Sequence, residues 1–367
     1  MDKINIGIIG AGGVAQLGHI PSYKKMENVE VVAICDPNKI KLKKVAKKFN
    51  IPKAFTDYHS LLNLEEIQAV SICSPNFLHA EHTIAALKSK KHVLCEKPVG
   101  TNSHEVESVI QEAENSGRKF MVAFCHRFDP ASQTIKSFID KGELGEIYYA
   151  KASYLRRRGI PGLGGWFTTK KLSGGGALID IGVHMLDLSL WLLGNPEPLS
   201  VTASIYDKLK TQAIDGGWPP VDSRKGDIYG NIFDVEDLAT AFIKFKNGST
   251  LFLEASWAGY SEIGIKISLF GSKGGAELRG AVGGIDEGRP NYFKFHKKID
   301  SHLVDISPVI PETYSYWDDP WPNLVQHFIN CIREDGEPIV KLQEILYGSR
   351  IIDAIYKSAE EGRIVKI

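Results

Sequence analysis

The 367-residue sequence has no run of the ~18–20 uninterrupted apolar residues that a membrane-spanning helix needs. Its nearest stretch, 177–193, carries Asp180, His184 and Asp187. Charge of one sign is lacking too: 44 Lys and Arg balance 44 Asp and Glu. Without a basic field to neutralise phosphates, nucleic acid is not an expected partner. Cysteine is scarce and odd in number, five residues with no CxxC pair, which argues against a disulfide framework and for a reducing, cytoplasmic setting. A signal peptide is poorly matched: Asp2 offsets Lys3, and glycines interrupt the apolar stretch 6–15. What the chain does have, 43% hydrophobic and 24% charged residues, suffices for a packed globular core and a length of about two domains.

The first third alternates short apolar runs with helical stretches. Residues 4–9, 29–35, 69–73, 93–95 and 120–124 read as strands buried on both faces, and 14–26, 39–49, 80–87 and 104–114 as helices between them. That alternation predicts parallel βαβ units. After residue 123 the pattern changes. Segments 147–155, 200–205, 240–245, 249–257 and 264–270 alternate apolar with polar residues, as one-sided antiparallel strands do. Residues 215–234, rich in Gly, Pro and Asp, read as a loop, and helices return at 323–331 and 342–359. The expected architecture is α/β: a doubly wound parallel sheet over 1–123, then an α+β domain over 124–367 with a large, mostly antiparallel, open-faced sheet.

Four constellations carry chemistry. Gly10-Ala11-Gly12-Gly13-Val14-Ala15 fits G-x-G-x-x-A between a strand and a helix. There the backbone can approach a pyrophosphate at the helix N-terminus. Asp36, ending the next strand, is placed to bond ribose hydroxyls, which favours NAD; Lys39 nearby leaves NADP open. Glu96-Lys97-Pro98 follows another strand, where Lys97 either meets a substrate or forms a surface ion pair before a turn. In the segment 173–184, glycines precede an apolar helix on which Asp180, His184 and Asp187 share a face. That face is either the solvent side or a half-buried stripe, and buried acid and imidazole are costly unless paired or used. Histidine is the usual acid–base group near neutrality. No further ligands at metal-site spacing accompany the pair, so no metal is expected. Ser74-Pro75-Asn76-Phe77-Leu78-His79 is a strand-end loop, with Asn76 a nicotinamide contact or a helix N-cap.

Taken in order, the fingerprint, the Ser-Pro-Asn-x-x-His loop, Glu96-Lys97-Pro98 and Gly-Gly-Gly-Ala-Leu-x-Asp-x-Gly-x-His resemble the Gfo/Idh/MocA oxidoreductases over essentially the whole chain. The resemblance implies a Rossmann domain that binds NAD through Gly10, Gly12, Gly13, Val14, Asp36, Ser74, Asn76, His79, Glu96 and Lys97. It implies that Lys97, Asp180 and His184 converge on hydride transfer. Arg127, in His126-Arg127-Phe128-Asp129-Pro130, would border the substrate. Near the glycine-rich helix, Trp166 could stack on a sugar ring and Arg156 could bond hydroxyls; both could equally be packing and solvated residues. The expected partner is a small polyol or sugar, within a homodimer or homotetramer. Two other readings remain: an NAD-dependent glycosidase of the same superfamily, and a non-catalytic NAD-binding regulator.

Overall fold

The computed structural model describes residues 3–157, 159–209, 232–261, 263–280, 292–309 and 320–367. The expected loop 215–234 therefore lies outside the described residues except for its last three.

Six short apolar runs form the first sheet: β1 (Ile4–Ile9), β2 (Val29–Cys35), β3 (Lys53–Phe55), β4 (Ala69–Ile72), β5 (His92–Cys95) and β6 (Phe120–Val122). Their order is β3-β2-β1-β4-β5-β6, and all pairs are parallel. Every residue of β4 is buried, which is why it reads as an unbroken apolar run rather than an alternating one. The strand order reverses between β1 and β4, so a crevice opens beyond their carboxyl ends. The segment 14–26, expected as one helix, is instead a π-helical turn (Ala15–His19) followed by an α-helix (Ile20–Lys24). Pro21 has no N–H to carry the ladder across this join.

The second sheet holds β7 (Ile147–Leu155), β8 (Pro198–Tyr206), β9 (Leu238–Phe245), β10 (Thr250–Ser256), β11 (Gly264–Gly271), β12 (Gly274–Gly280), β13 (Tyr292–Ile299), β14 (His302–Ile306) and β15 (Val365–Lys366). Its order is β14-β13-β12-β11-β7-β10-β9-β8-β15, antiparallel except where β7 meets β10. Strands β12 to β14 were not foreseen, because glycines and charged residues blur their alternation. One face is covered. Ala150, Ala152 and Tyr154 of β7 turn inward, and the helix Val183–Leu192 lies in the same buried layer. The opposite face presents aromatic residues, with Phe270 39% exposed and stacked on Tyr149.

The segment Lys170–Leu192 is long and apolar enough to cross a membrane on composition alone, and its 18-residue apolar window is buried inside the protein. The helix Leu342–Glu361 packs on β8 and reaches the first sheet's helices. There the Ser103 amide donates to Asp353 at 2.9 Å and Arg350 pairs with Glu107 at 2.8 Å.

Candidate active site

The turn after β1 is shaped for a close approach. Gly10 has φ +100°, and a Cβ there would lie 2.5 Å from the Cys73 carbonyl, so only glycine fits. Gly12 faces open space, where a Cβ would meet only the Cys73 carbonyl at 3.9 Å and would fill the cradle. The first turn of the helix that follows leaves its amides without intrahelical acceptors, which suits a pyrophosphate. Val14 is the residue from which that turn starts. Asp36, buried at the end of β2, accepts from the amides of Ala11 and Asn38, both at 2.9 Å. These bonds fix its carboxylate beside the cradle. The lysine against it is Lys41, at 2.8 Å, rather than Lys39.

Lys97 stands two residues past the end of β5 and enters a cis peptide bond with Pro98. Its ammonium reaches the second domain, donating to Asp180 Oδ1 at 3.0 Å and to the Asp180 backbone carbonyl at 2.6 Å. Asp180 sits in a π-helical turn, Leu178–Gly182, immediately before the helix Val183–Leu192. Its other oxygen accepts from the Trp257 indole at 2.9 Å, and Arg156 stands 4.0 Å away. Burial alone would raise the Asp180 carboxyl; Lys97, Arg156 and the indole overcome it and hold the group ionised. Trp257, fully buried just past β10, carries no local motif and was missed from sequence.

His184 follows Asp180 four positions on. Burial drives its pKa well below the ordinary value, and Lys97, His126 and Arg156 push it further in the same direction. The ring is therefore neutral, and its Nδ1 has no hydrogen-bond partner among the described residues. The His126 ring stands edge-on to it, with centroids 5.0 Å apart. Burial, then Lys97, lowers His126 to about 4. No metal-ligand spacing is evident along the chain, yet ligand atoms of Cys125, His126 and His184 gather within 4.8 Å of one another. Two of the three come from the end of β6, which no spacing along the 173–184 segment could reveal.

A buried carboxylate opens the glycine-rich helix. Glu236 accepts from the amides of Gly176 and Leu178 at 2.9 Å and from the Tyr356 hydroxyl at 3.0 Å. A Cβ on Gly176 would sit 1.9 Å from the Glu236 carbonyl, which accounts for glycine there. The signal for Glu236 was a negative one: a helix start with glycines and no capping side chain of its own needs an acceptor from elsewhere.

Several expected contacts are spent internally. Arg127, expected at the substrate, is fully buried and forms a bidentate pair with Asp187 at 2.6 and 2.8 Å plus a 2.6 Å bond to Glu344. It ties the end of β6 to two helices of the second domain, and Asp187 belongs to this cluster rather than to Lys97. His79 has its two ring nitrogens on the carbonyls of Pro98 and Ser74, at 2.5 and 2.7 Å. It shapes the loop instead of offering a nitrogen to a ligand. Glu96 is held by His19 at 3.0 Å. The Ser74 hydroxyl meets His82, and Asn76 donates to the Ser173 carbonyl at 2.8 Å, bridging the domains. Trp166 is half-buried and stacked on Phe167 with centroids 3.8 Å apart, a contact that does not involve Lys97 or Asp180. Arg156 alone of the expected substrate residues stands at the cluster, under the Asp180 carboxylate's influence.

Comparison with known proteins agrees with this layout. Residues 4–124 match the Gfo/Idh/MocA oxidoreductase family's NAD-binding Rossmann fold, and residues 136–367 match the same family's C-terminal alpha/beta domain. D-glucoside 3-dehydrogenase of Escherichia coli strain K12 is 33% identical over 99% of this chain and 97% of its own length. Levoglucosan dehydrogenase of Pseudarthrobacter phenanthrenivorans is 28% identical over 70% of this chain and 68% of its own. A solved levoglucosan dehydrogenase in complex with NADH and levoglucosan superimposes with TM-score 0.84 at 23% identity, covering all of both chains. At that identity the superposition establishes the fold alone.

Proposed function

The chain belongs to the Gfo/Idh/MocA oxidoreductase family, and from that premise we propose a dehydrogenase that oxidises a secondary ring alcohol of a glucoside or related hexose with NAD. It is an enzyme acting on CH–OH groups. The finer substrate choice takes its support from the D-glucoside 3-dehydrogenase of Escherichia coli, whose similarity runs the length of both chains. The observation that carries the catalytic reading is the Lys97 ammonium seated 3.0 Å from Asp180 at the carboxyl end of β5, with a neutral His184 beside it. The Gly10–Val14 turn and Asp36 would hold NAD, which when bound would supply the hydride acceptor.

The chain's own side chains handle the proton. Lys97 donates a hydrogen bond to the substrate oxygen and so makes the hydroxyl more acidic. His184, kept neutral by burial, has a lone pair to receive that proton as the alcohol becomes a carbonyl. Burial also makes this imidazole a weak base, and polarisation by Lys97 offsets that weakness. Asp180 balances the ammonium and fixes its direction. Arg156 bonds a neighbouring hydroxyl. In this reading residues 1–123 hold the cofactor and 124–367 the sugar, and the exposed aromatic sheet face pairs copies into a homodimer or homotetramer, which light scattering of the eluted protein checks.

The test is a parallel screen of glucosides, hexoses, inositols and anhydrosugars with NAD and NADP, followed by absorbance of the reduced cofactor. Stoichiometric NADH with a glucoside is the expected result. Glycoside cleavage without NADH accumulation, or NAD binding with no turnover on any polyol, would overturn it.

A further inference from the structure

We propose that Cys125, His126 and His184 form a binding site for a soft divalent cation of the Zn2+ class, and that the cation inhibits the enzyme by occupying His184. One ligand atom from each side chain lies within 4.8 Å of the others, and all three residues are buried. A tetrahedral Zn2+ with bonds of about 2.0–2.3 Å places its ligands some 3.3–3.7 Å apart. The ligand atoms thus need to draw together by at most about 1.5 Å, within the range of side-chain rotation. Cys125 and His126 share one short turn, Cys125–Phe128, at the end of β6, while His184 comes from the facing helix, so the set is anchored from two sides. The donors are one sulfur and two nitrogens with no carboxylate, a set that selects Zn2+ over Mg2+ or Ca2+. Access is through the substrate cleft, where the Lys97 side chain remains 15% exposed.

Binding releases the thiol proton to solvent as the sulfur becomes a thiolate ligand, and nothing is oxidised or reduced. The fourth position is left to water. Once its ring nitrogen is coordinated, His184 no longer takes a hydroxyl proton, and a second positive charge stands beside Lys97. The inhibition rests on the role proposed above for His184. The binding does not, and a spectrum reads it apart from activity.

The experiment titrates chelator-treated protein with Co2+ as a spectroscopic substitute for Zn2+, in the absence of nucleotide. The expected result is one equivalent bound with a thiolate-to-cobalt charge-transfer band in the near ultraviolet. Cys125→Ser should lose that band and weaken metal binding by at least about tenfold, while turnover without metal stays within about threefold. Micromolar Zn2+ should inhibit the unaltered enzyme, reversibly with EDTA, and spare Cys125→Ser. Cys125→Ala serves if the serine variant misfolds, and the spectrum of the unaltered protein needs no variant. Absence of the band overturns the proposal, as does a band or an inhibition that survives in Cys125→Ser. A band lost instead in Cys331→Ser would also overturn it, since Cys331 has its own histidine, His327, at 3.4 Å.

Discussion

The two sheets contribute to the site in opposite ways. In the six-stranded parallel sheet, the candidate groups sit on strand ends: the glycine turn after β1, Asp36 after β2, Lys97 after β5 and His126 beyond β6. Parallel strands aim all these ends at one edge. The nine-stranded sheet offers its face instead, a wall on which the helix bearing Asp180 and His184 is laid. From that sheet's strand ends, Trp257 just past β10 and Arg156 just past β7 bring polar atoms to the cluster. A chemical group in the first domain is thus placed by topology, and one in the second by packing.

Four measurements bear on that contrast. Lys97→Ala should lower turnover by about 10²–10⁴ while the NAD dissociation constant changes less than about threefold, read by steady-state kinetics and nucleotide titration. Turnover within tenfold of the unaltered enzyme would remove the strand-end group from the chemistry. Next in size, Arg127→Met strands Asp187 and Glu344 without their cation and should cost about 3–5 kcal/mol of stability by denaturant unfolding. Turnover at a temperature where the variant is folded should change little, because the Arg127 guanidinium is buried and spent on Asp187 and Glu344.

His82 provides a pH signature confined to the first domain. Burial holds its pKa down to about 4, below the ~6.5 of an unfolded chain. The unfolded state therefore binds more protons between those values, so the contribution is complete above pH 6.5 and is lost as pH falls towards 4. The loss is on the order of 2–3 kcal/mol, and His82→Gln should flatten the dependence of thermal unfolding on pH across that window. The smallest effect belongs to the packing side. Trp257→Phe removes one donor to a buried carboxylate and should lower kcat by about tenfold with KM nearly constant. A KM change with constant kcat would mean that the indole serves substrate binding rather than the aim of Asp180.

Legibility in the sequence followed the same division. The parallel strands, the glycine turn, Asp36 and Lys97 are local signals, because a strand end and its turn are contiguous in the chain. Asp180 and His184 could be read from the cost of burying polar groups in an apolar helix, although the π-helical turn at Leu178–Gly182 left no trace in the periodicity. Arg127 was misplaced because its partners, Asp187 and Glu344, lie 60 and 217 positions downstream. Trp257 and Glu236 were invisible for the same reason. A lone indole or carboxylate gains meaning only from what folds against it. His79 misled in another way, since a histidine in a strand-end loop resembles a ligand contact until its carbonyl partners are known.

The helix Leu342–Glu361 bonds to residues as far as 250 positions upstream of it. While the polypeptide emerges from the ribosome, the nucleotide-binding half can finish its own sheet long before this late brace arrives. Until then the flank around Ser103 and Glu107 stands open to water and to chaperones. Trimming that brace would therefore act first on yield and solubility, and only afterwards on the rate of sugar oxidation.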